Sequence, residues 1–307
     1  MIEAAYRKII IDTDPGHDDA LAILLLEKSR GFDIKALTTV CGNSTIEDTT
    51  NNARCILDLI DSRTPIYSGA EKPLKKELIK AVVHGEGGLA GADITKKEPL
   101  TGDAAQKIIE IVRANPNQIS ILVIGPETNI AEAFQRDPAL PELVKELVIM
   151  GGAISVPGNK NRVAEFNVFV DPDAADIVFR ANVKKVLIPL DVCNEVFLSM
   201  ADFDQLAGSA LYAPIKKMMG FYIEGIKNNE NFDGALMYDP LAAYYLLNPS
   251  AFKLKPMDIM IETASELTRG MTVADKRDWG EKNYNVDVAI SVDKQLFTKD
   301  FIATLKK

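Results

Sequence analysis

The sequence predicts an α/β fold with an open, mainly parallel central sheet flanked by helices. Three observations predict it. Short apolar, β-rich runs recur along the 307 residues. Helical patterns lie between several of them, the alternation that builds parallel sheets. Small polar residues recur where the runs end, the edge at which open parallel sheets bind ligands.

The runs are KIIID, IKALTTV, TPIYSG, ISILVIG, ELVIMGG, FNVFVD and VKKVLIPLD. Strands buried on both faces have this near-continuous apolar character. Residues 18–29 carry apolar residues on nearly every turn and predict a buried helix. Residues 45–60 predict a second helix, with Ser44 or Thr45 as its cap. Residues 101–114 and 172–181 repeat the pattern. Residues 71–100 are rich in Lys, Glu, Gly and Pro and predict an irregular excursion. Residues 200–238 are helical and more polar, an appended segment suited to a small lid. No linker or repeat divides residues 1–307, so one domain is expected. The stretch after residue 250 carries no readable chemistry.

Composition narrows the function. Hydrophobic residues make up 47% and charged residues 26%, as in soluble globular chains. The net charge of -9 argues against a nucleic-acid partner. The longest apolar run, ALAILLL, falls far short of the ~20 residues of a membrane span. Cys41, Cys55 and Cys193 show no metal or disulfide spacing and read as reduced thiols. With no signal-peptide core in MIEAAYRKII, the expected location is the cytoplasm.

The first strand runs into DTDPGHDD, which places Asp12, Asp14, Asp18 and Asp19 within eight residues. Carboxylates suit a helix start, and the bland reading is an N-cap cluster. A cap needs one carboxylate, and four need a compensating charge. A hard cation with oxygen ligands, calcium or magnesium, meets that need, with a distant carboxylate completing the shell. DTD after a strand also resembles the aspartyl pair of haloacid-dehalogenase-type phosphatases, but Pro15 and Gly16 stand where that family expects a hydroxyl. No GxGxxG follows the strand, so a dinucleotide site is not indicated. Other strand ends lead to Asn43, Thr128, Asn129, Gly151 and Asp191, which serve equally as turn residues or as walls of one crevice.

DTDPGHDDALAI resembles the DxDPGxDDA signature of the inosine–uridine type nucleoside hydrolases. Six further blocks match in order: TTVCGN, VHGEGGL, IGPETNIA, VIMGG, VAEFNVFVDPDAA and MYDPLAA. The resemblance implies a calcium ion held by Asp14, Asp19, the Thr128 main-chain carbonyl and Asp239. Asp12 has no ligand role by this match and is expected to orient the others. Asp14 is implied as the general base that activates water against the anomeric carbon. Asp18, Asn159, Glu165 and Asn167 are implied to bind ribose. Glu165 and Asn167, at i and i+2, would share one face of a strand. Asn43 is implied near ribose or base, His84 near the base or the ribose 5′ side on a glycine-rich flap, and Tyr222 in the base pocket. The family histidine before the late aspartate protonates the departing base, and here Tyr238 replaces it. Tyrosine is a weak acid near neutrality, so hydrogen bonding and stacking are its two possible roles. His17 is expected to be structural. The implied activity is hydrolysis of ribonucleosides to base and ribose in salvage by a homodimer or homotetramer. A metal-dependent phosphatase and a non-catalytic nucleoside or ribose binder are the rival classes.

Overall fold

The computed structural model describes residues 6–98, 100–230 and 232–307. The chain opens with β1 (Arg7–Thr13), α1 (His17–Lys28), β2 (Phe32–Thr39), α2 (Ile46–Asp58) and β3 (Ile66–Ser68). After an irregular stretch with one 3-10 turn at Glu86–Gly88 come α3 (Ala104–Ala114), β4 (Ile119–Val123), α4 (Thr128–Arg136) and β5 (Glu146–Met150). Next are α5 (Phe166–Val170), α6 (Pro172–Arg180), β6 (Lys185–Ile188), α7 (Leu190–Cys193) and β7 (Phe197–Leu198). The appended segment is α8 (Met200–Asp204) and α9 (Tyr212–Glu230), followed by β8 (Ala235–Leu236) and α10 (Tyr238–Leu247). The chain closes with β9 (Phe252–Met257), β10 (Ile259–Ile261), β11 (Thr272–Ala274), β12 (Val286–Val292) and α11 (Lys294–Leu305).

Among the described residues, eight strands form the central sheet in the order β3-β2-β1-β4-β5-β6-β12-β9. All neighbours are parallel except β12 and β9. In β1, Ile9 and Ile11 enter one apolar layer and Ile10 the other, as the two-residue period requires. That is why this strand reads as an unbroken apolar run. Helix α1 is buried from His17 to Leu26, which explains its lack of a polar face. Helix α9 is not a detached polar lid, because Ile215, Met218, Met219, Tyr222 and Ile226 join the main apolar cluster.

One element differs from the sequence expectation. FNVFVD is helix α5 and not a strand, because Glu165 caps it by accepting from the amides of Asn167 (2.8 Å) and Val168 (3.2 Å). Asp171 then caps α6 through Ala174 N at 3.1 Å. The i, i+2 pair therefore marks a cap and a first turn, not one face of a strand. Local side-chain acceptors overrode the β-rich composition.

The chain reverses direction across the sheet between β1 and β4, and a crevice opens at such a switch point. Asn129 braces it. Its amide nitrogen donates to Asp12 Oδ1 (2.8 Å) and to the Thr39 carbonyl (2.9 Å), and its oxygen accepts from Ala70 N (2.9 Å). Replacing it orphans buried groups on β1 and β2, at about 1–3 kcal/mol for each. Asn129→Ala is expected to lower unfolding free energy by about 3 kcal/mol in urea titration. A loss below about 0.5 kcal/mol would contradict the bracing role.

Candidate active site

Strand β1 delivers Asp14 to the crevice, and the Pro15–Gly16 turn starts α1 so that Asp18 and Asp19 follow at once. Helix α10 brings Asp239 from the far end of the chain. Oxygens of Asp18, Asp19 and Asp239 lie within 4.8 Å of one another, and all three residues are buried. Asp14 is fully buried beside them. Its Oδ2 accepts from Asn43 N at 2.6 Å, while Oδ1 has no hydrogen-bond partner among the described residues. Glycines make the room: a Cβ at Gly42 would sit 2.1 Å from Asp14 Oδ2, and one at Gly125 would sit 2.9 Å from Oδ1.

The electrostatics follow from this crowding. Burial, then the charges of Asp19 and Asp18, raise Asp14 well above the usual carboxylate range. Burial and Asp19 do the same to Asp18, and burial with Asp18, Asp19 and Asp14 to Asp239. Asp19 is raised by burial, opposed by bonds from Thr13 Oγ1 (2.6 Å) and Gly16 N (2.9 Å). Carboxylate oxygens of Asp19 and Asp239 face each other within 4.8 Å. Two buried carboxyl groups this close are relieved by a proton or by a cation. An oxygen-only donor set with an unpartnered Asp14 oxygen fits a hard divalent cation. Asp12 lies behind the cluster, held by Thr38 Oγ1 (2.5 Å) and Asn129, and burial pushes it up to about 7.

A cavity of about 240 Å³ opens above the acids. Nine of the residues singled out from the sequence line it: Asp18, Asn43, His84, Asn159, Glu165, Asn167, Tyr222, Tyr238 and Asp239. Asp14, Asp19 and Thr128 do not line it. The Thr128 hydroxyl is turned to Asp171 at 2.8 Å. Asn43 ties wall to floor, its amide donating to the Asp14 carbonyl (3.1 Å) and to Asp19 (3.2 Å). Glu165 is locked by three backbone amides, those of Gly152 (3.1 Å), Asn167 and Val168. Asp191 stands apart, anchoring Ile154 N and Ser155 N.

The upper wall is aromatic. The rings of His84, His17 and Tyr222 stack with centroids 5.2–5.4 Å apart. His17 Nδ1 lies 3.0 Å from His84 Nδ1, and His17 Nε2 lies 2.8 Å from the Ala90 carbonyl. His17 is therefore structural, and Nε2 is the His84 nitrogen left for a ligand. Burial, and then the charge of His17, lower the His84 pKa well below the usual range, so the ring is neutral. Gly85 admits Phe221 of α9, since a Cβ there would meet the ring at 2.7 Å. The Tyr238 hydroxyl donates to Asn194 Oδ1 at 3.3 Å. Val82, Val83, Met150, Lys160, Phe166 and Ile226 also line the cavity and were missed. The apolar ones look like ordinary core residues in sequence, and Lys160 looks like a surface lysine.

An acid cluster below a cavity, at the carboxyl ends of a parallel sheet, defines an α/β protein with a small-molecule site at its switch point. More particularly, the chain belongs to the inosine-uridine preferring nucleoside hydrolase family, whose model matches residues 9–299. It is similar to the pyrimidine-specific ribonucleoside hydrolase RihA of Salmonella enteritidis PT4, 36% identical over 296 residues that cover 94% of this chain and 95% of that protein. Its fold is similar to that of a plant nucleoside hydrolase, with TM-score 0.91 and 28% identity over 98% of this chain and 99% of the other. A purine-preferring ribonucleoside hydrolase from Gardnerella vaginalis gives 0.90 and 28%, over 97% and 98%. By family membership the chain is a hydrolase of N-glycosyl bonds.

The raised carboxyl pKa values fix the sign of a pH effect. A folded-state pKa above the unfolded value of about 3.9 means that the native state binds more protons, so stability falls as pH rises through the raised values. In chelator, the melting temperature is expected to fall from about pH 5 to about pH 8, and an added divalent cation to raise it most at the higher pH. A melting temperature independent of both pH and cation would remove the repulsion account.

Proposed function

We propose that this chain is a calcium-dependent ribonucleoside hydrolase that releases free base and ribose for salvage. One observation carries the reading: Asp18 and Asp239 line the cavity together with Asn159, Glu165 and Asn167, and Asp14 and Asp19 are buried beside those two acids. Asp14, Asp19, Asp239 and the Thr128 carbonyl would hold the calcium ion, as the family resemblance implies. When bound, the ion supplies positive charge that offsets the carboxylates and lowers the pKa of water.

Asp14 acts as general base, taking a proton on the oxygen that no protein group engages. Water adds to the anomeric carbon through an oxocarbenium-like state, as in inverting glycosidases. Asp18, Asn159, Glu165 and Asn167 bind the ribose hydroxyls, and Glu165 is pre-set for this by its three amide bonds. The base lies against the His84 and Tyr222 rings, with Asn43 at the junction of base and sugar. Because the Tyr238 hydroxyl is engaged with Asn194, its ring is the part that meets the base. His84 Nδ1–H faces His17 Nδ1, so the bare Nε2 of the neutral ring accepts a hydrogen bond from the base, and the departing base takes its proton from water. Three free cysteines support a reducing, cytoplasmic setting, and the family resemblance supports a homodimer or homotetramer.

The test is ribose release from inosine, adenosine, guanosine, uridine, cytidine and p-nitrophenyl riboside. Release from at least one natural nucleoside is expected, with loss of activity in chelator and recovery with calcium. No release from any substrate would overturn the reading. Asp14→Ala is expected to lower kcat/KM by about 10³-fold or more on every substrate, within the range of general-base catalysis together with lost metal binding. His84→Ala is expected to raise KM for natural nucleosides about 10-fold through loss of one hydrogen bond and to spare the nitrophenyl riboside, whose aryl group offers the ring no N–H. Equal losses on both substrate types would exclude a hydrogen bond between His84 and the base.

A further inference from the structure

The cavity contains a cation for which hydrolysis as derived above has no use. Lys160 lines it. Among the described residues its ammonium makes one long hydrogen bond, to the Lys80 carbonyl at 3.4 Å, and lies 5.4 Å from the centre of the Phe166 ring. Asp18, Glu165 and Asp239 line the same cavity, yet none forms an ion pair with Lys160 among the described residues. Burial disfavours its charge, and no neighbouring carboxylate offsets that effect. Lys160 is half-buried and its bond to Lys80 is exposed, so a ligand oxygen that displaces water there gains a charge-assisted hydrogen bond.

The loop that carries Lys160 is built rigidly. Lys160 N donates to the Ala164 carbonyl at 3.2 Å. Asn161 Oδ1 accepts from Val163 N (2.9 Å) and Ala164 N (2.7 Å), and its amide reaches the Arg269 carbonyl at 3.2 Å. Gly158 allows the two arms of the loop to approach, since a Cβ there would lie 2.1 Å from the Ala164 carbonyl oxygen. The lysine is thus presented to the cavity from a fixed base.

The chemistry of the substrate says what it meets. Hydrolysis places the anomeric carbon over Asp14, so the sugar hydroxyls next to that carbon face the acid floor. The base leaves from C1′ toward the rings of His84 and Tyr222. The C5′ branch leaves from C4′, and its polar oxygen suits the polar wall of Asn159, Glu165 and Lys160. Resting on the hydrolase reading, we propose that Lys160 donates a hydrogen bond to the oxygen on C5′ of the ribosyl unit. It thereby selects ribonucleosides that carry this oxygen over 5′-deoxyribonucleosides. Lys160 is a specificity-determining residue, remote from the bond that breaks. A site that expects a substrate hydroxyl discriminates strongly against an analogue without it.

The experiment compares kcat/KM for the best nucleoside of the panel with that for its 5′-deoxy derivative, in the unsubstituted enzyme, Lys160→Gln and Lys160→Arg. The unsubstituted enzyme is expected to prefer the parent by about 100-fold, the value of a charge-assisted hydrogen bond. Lys160→Gln is expected to cut that preference fivefold or more through loss on the parent alone, and Lys160→Arg to restore most of it. A smaller change, or equal loss on both substrates, would overturn the inference and leave Lys160 a loop residue. Calorimetric binding of ribose and 5-deoxyribose makes the same comparison without turnover. If ribose binds more tightly while no nucleoside is hydrolysed, the Lys160 inference stands and the hydrolase reading fails.

Discussion

The repulsion among the buried carboxylates of Asp14, Asp18, Asp19 and Asp239 is the constraint on which the rest of the structure depends. Two unit charges about 4 Å apart repel by about 4 kcal/mol even at an effective dielectric constant of 20. Every element around the cluster either supplies a donor or makes room. Thr13, Gly16 and Asn43 donate hydrogen bonds to it, and Gly42 and Gly125 let the backbone approach the Asp14 carboxylate. These groups offset the cost only in part: burial first, and for Asp14, Asp18 and Asp239 the neighbouring charges, keep all four acids above their ordinary range. A cation-dependent site is stable on these terms, because the same strain that disfavours the bare acids favours a hard cation among them.

The sheet keeps such a cluster in place. β1 lies in its interior with parallel neighbours on both sides, and the switch between β1 and β4 opens the crevice where Asp14 emerges. Asn129 and Thr38 fix Asp12 beneath it. Their bonds turn one more carboxylate into a brace. Above the floor, the ring stack of His84, His17 and Tyr222 and the capped turn at Glu165 form two walls of different chemistry. An aromatic wall beside a polar one matches a flat base joined to a polyhydroxylated sugar.

The strands and the long helices were legible because their apolar runs and caps are local properties. Thr45 and Asp103 start α2 and α3 with the side-chain bonds that their identities suggest. The segment from Glu165 to Asp171 was not legible as helix. Its β-rich residues were outweighed by two caps, and the Glu165 cap is completed by Gly152 from a distant loop. The polar lining of the cavity was accessible through ordered matches to a family. Ile226 and Met150 were not, since a cavity-lining apolar side chain and a core one obey the same pattern. Lys160 escaped notice for the opposite reason, as a lysine in a polar loop carries no sign of burial.

The sequence by itself determined the fold class, the order of the main elements and the unusual density of acids after the first strand. These follow from short-range periodicity and from residue chemistry, which neighbours in the chain already express. Only the tertiary structure decided which distant groups share one space. Asp239 reaches Asp18 and Asp19, His84 stacks on His17, and Lys160 is held in the cavity without an ion pair. Those relations depend on sheet order and helix packing, and contacts across such separations leave no local mark on the residues that make them.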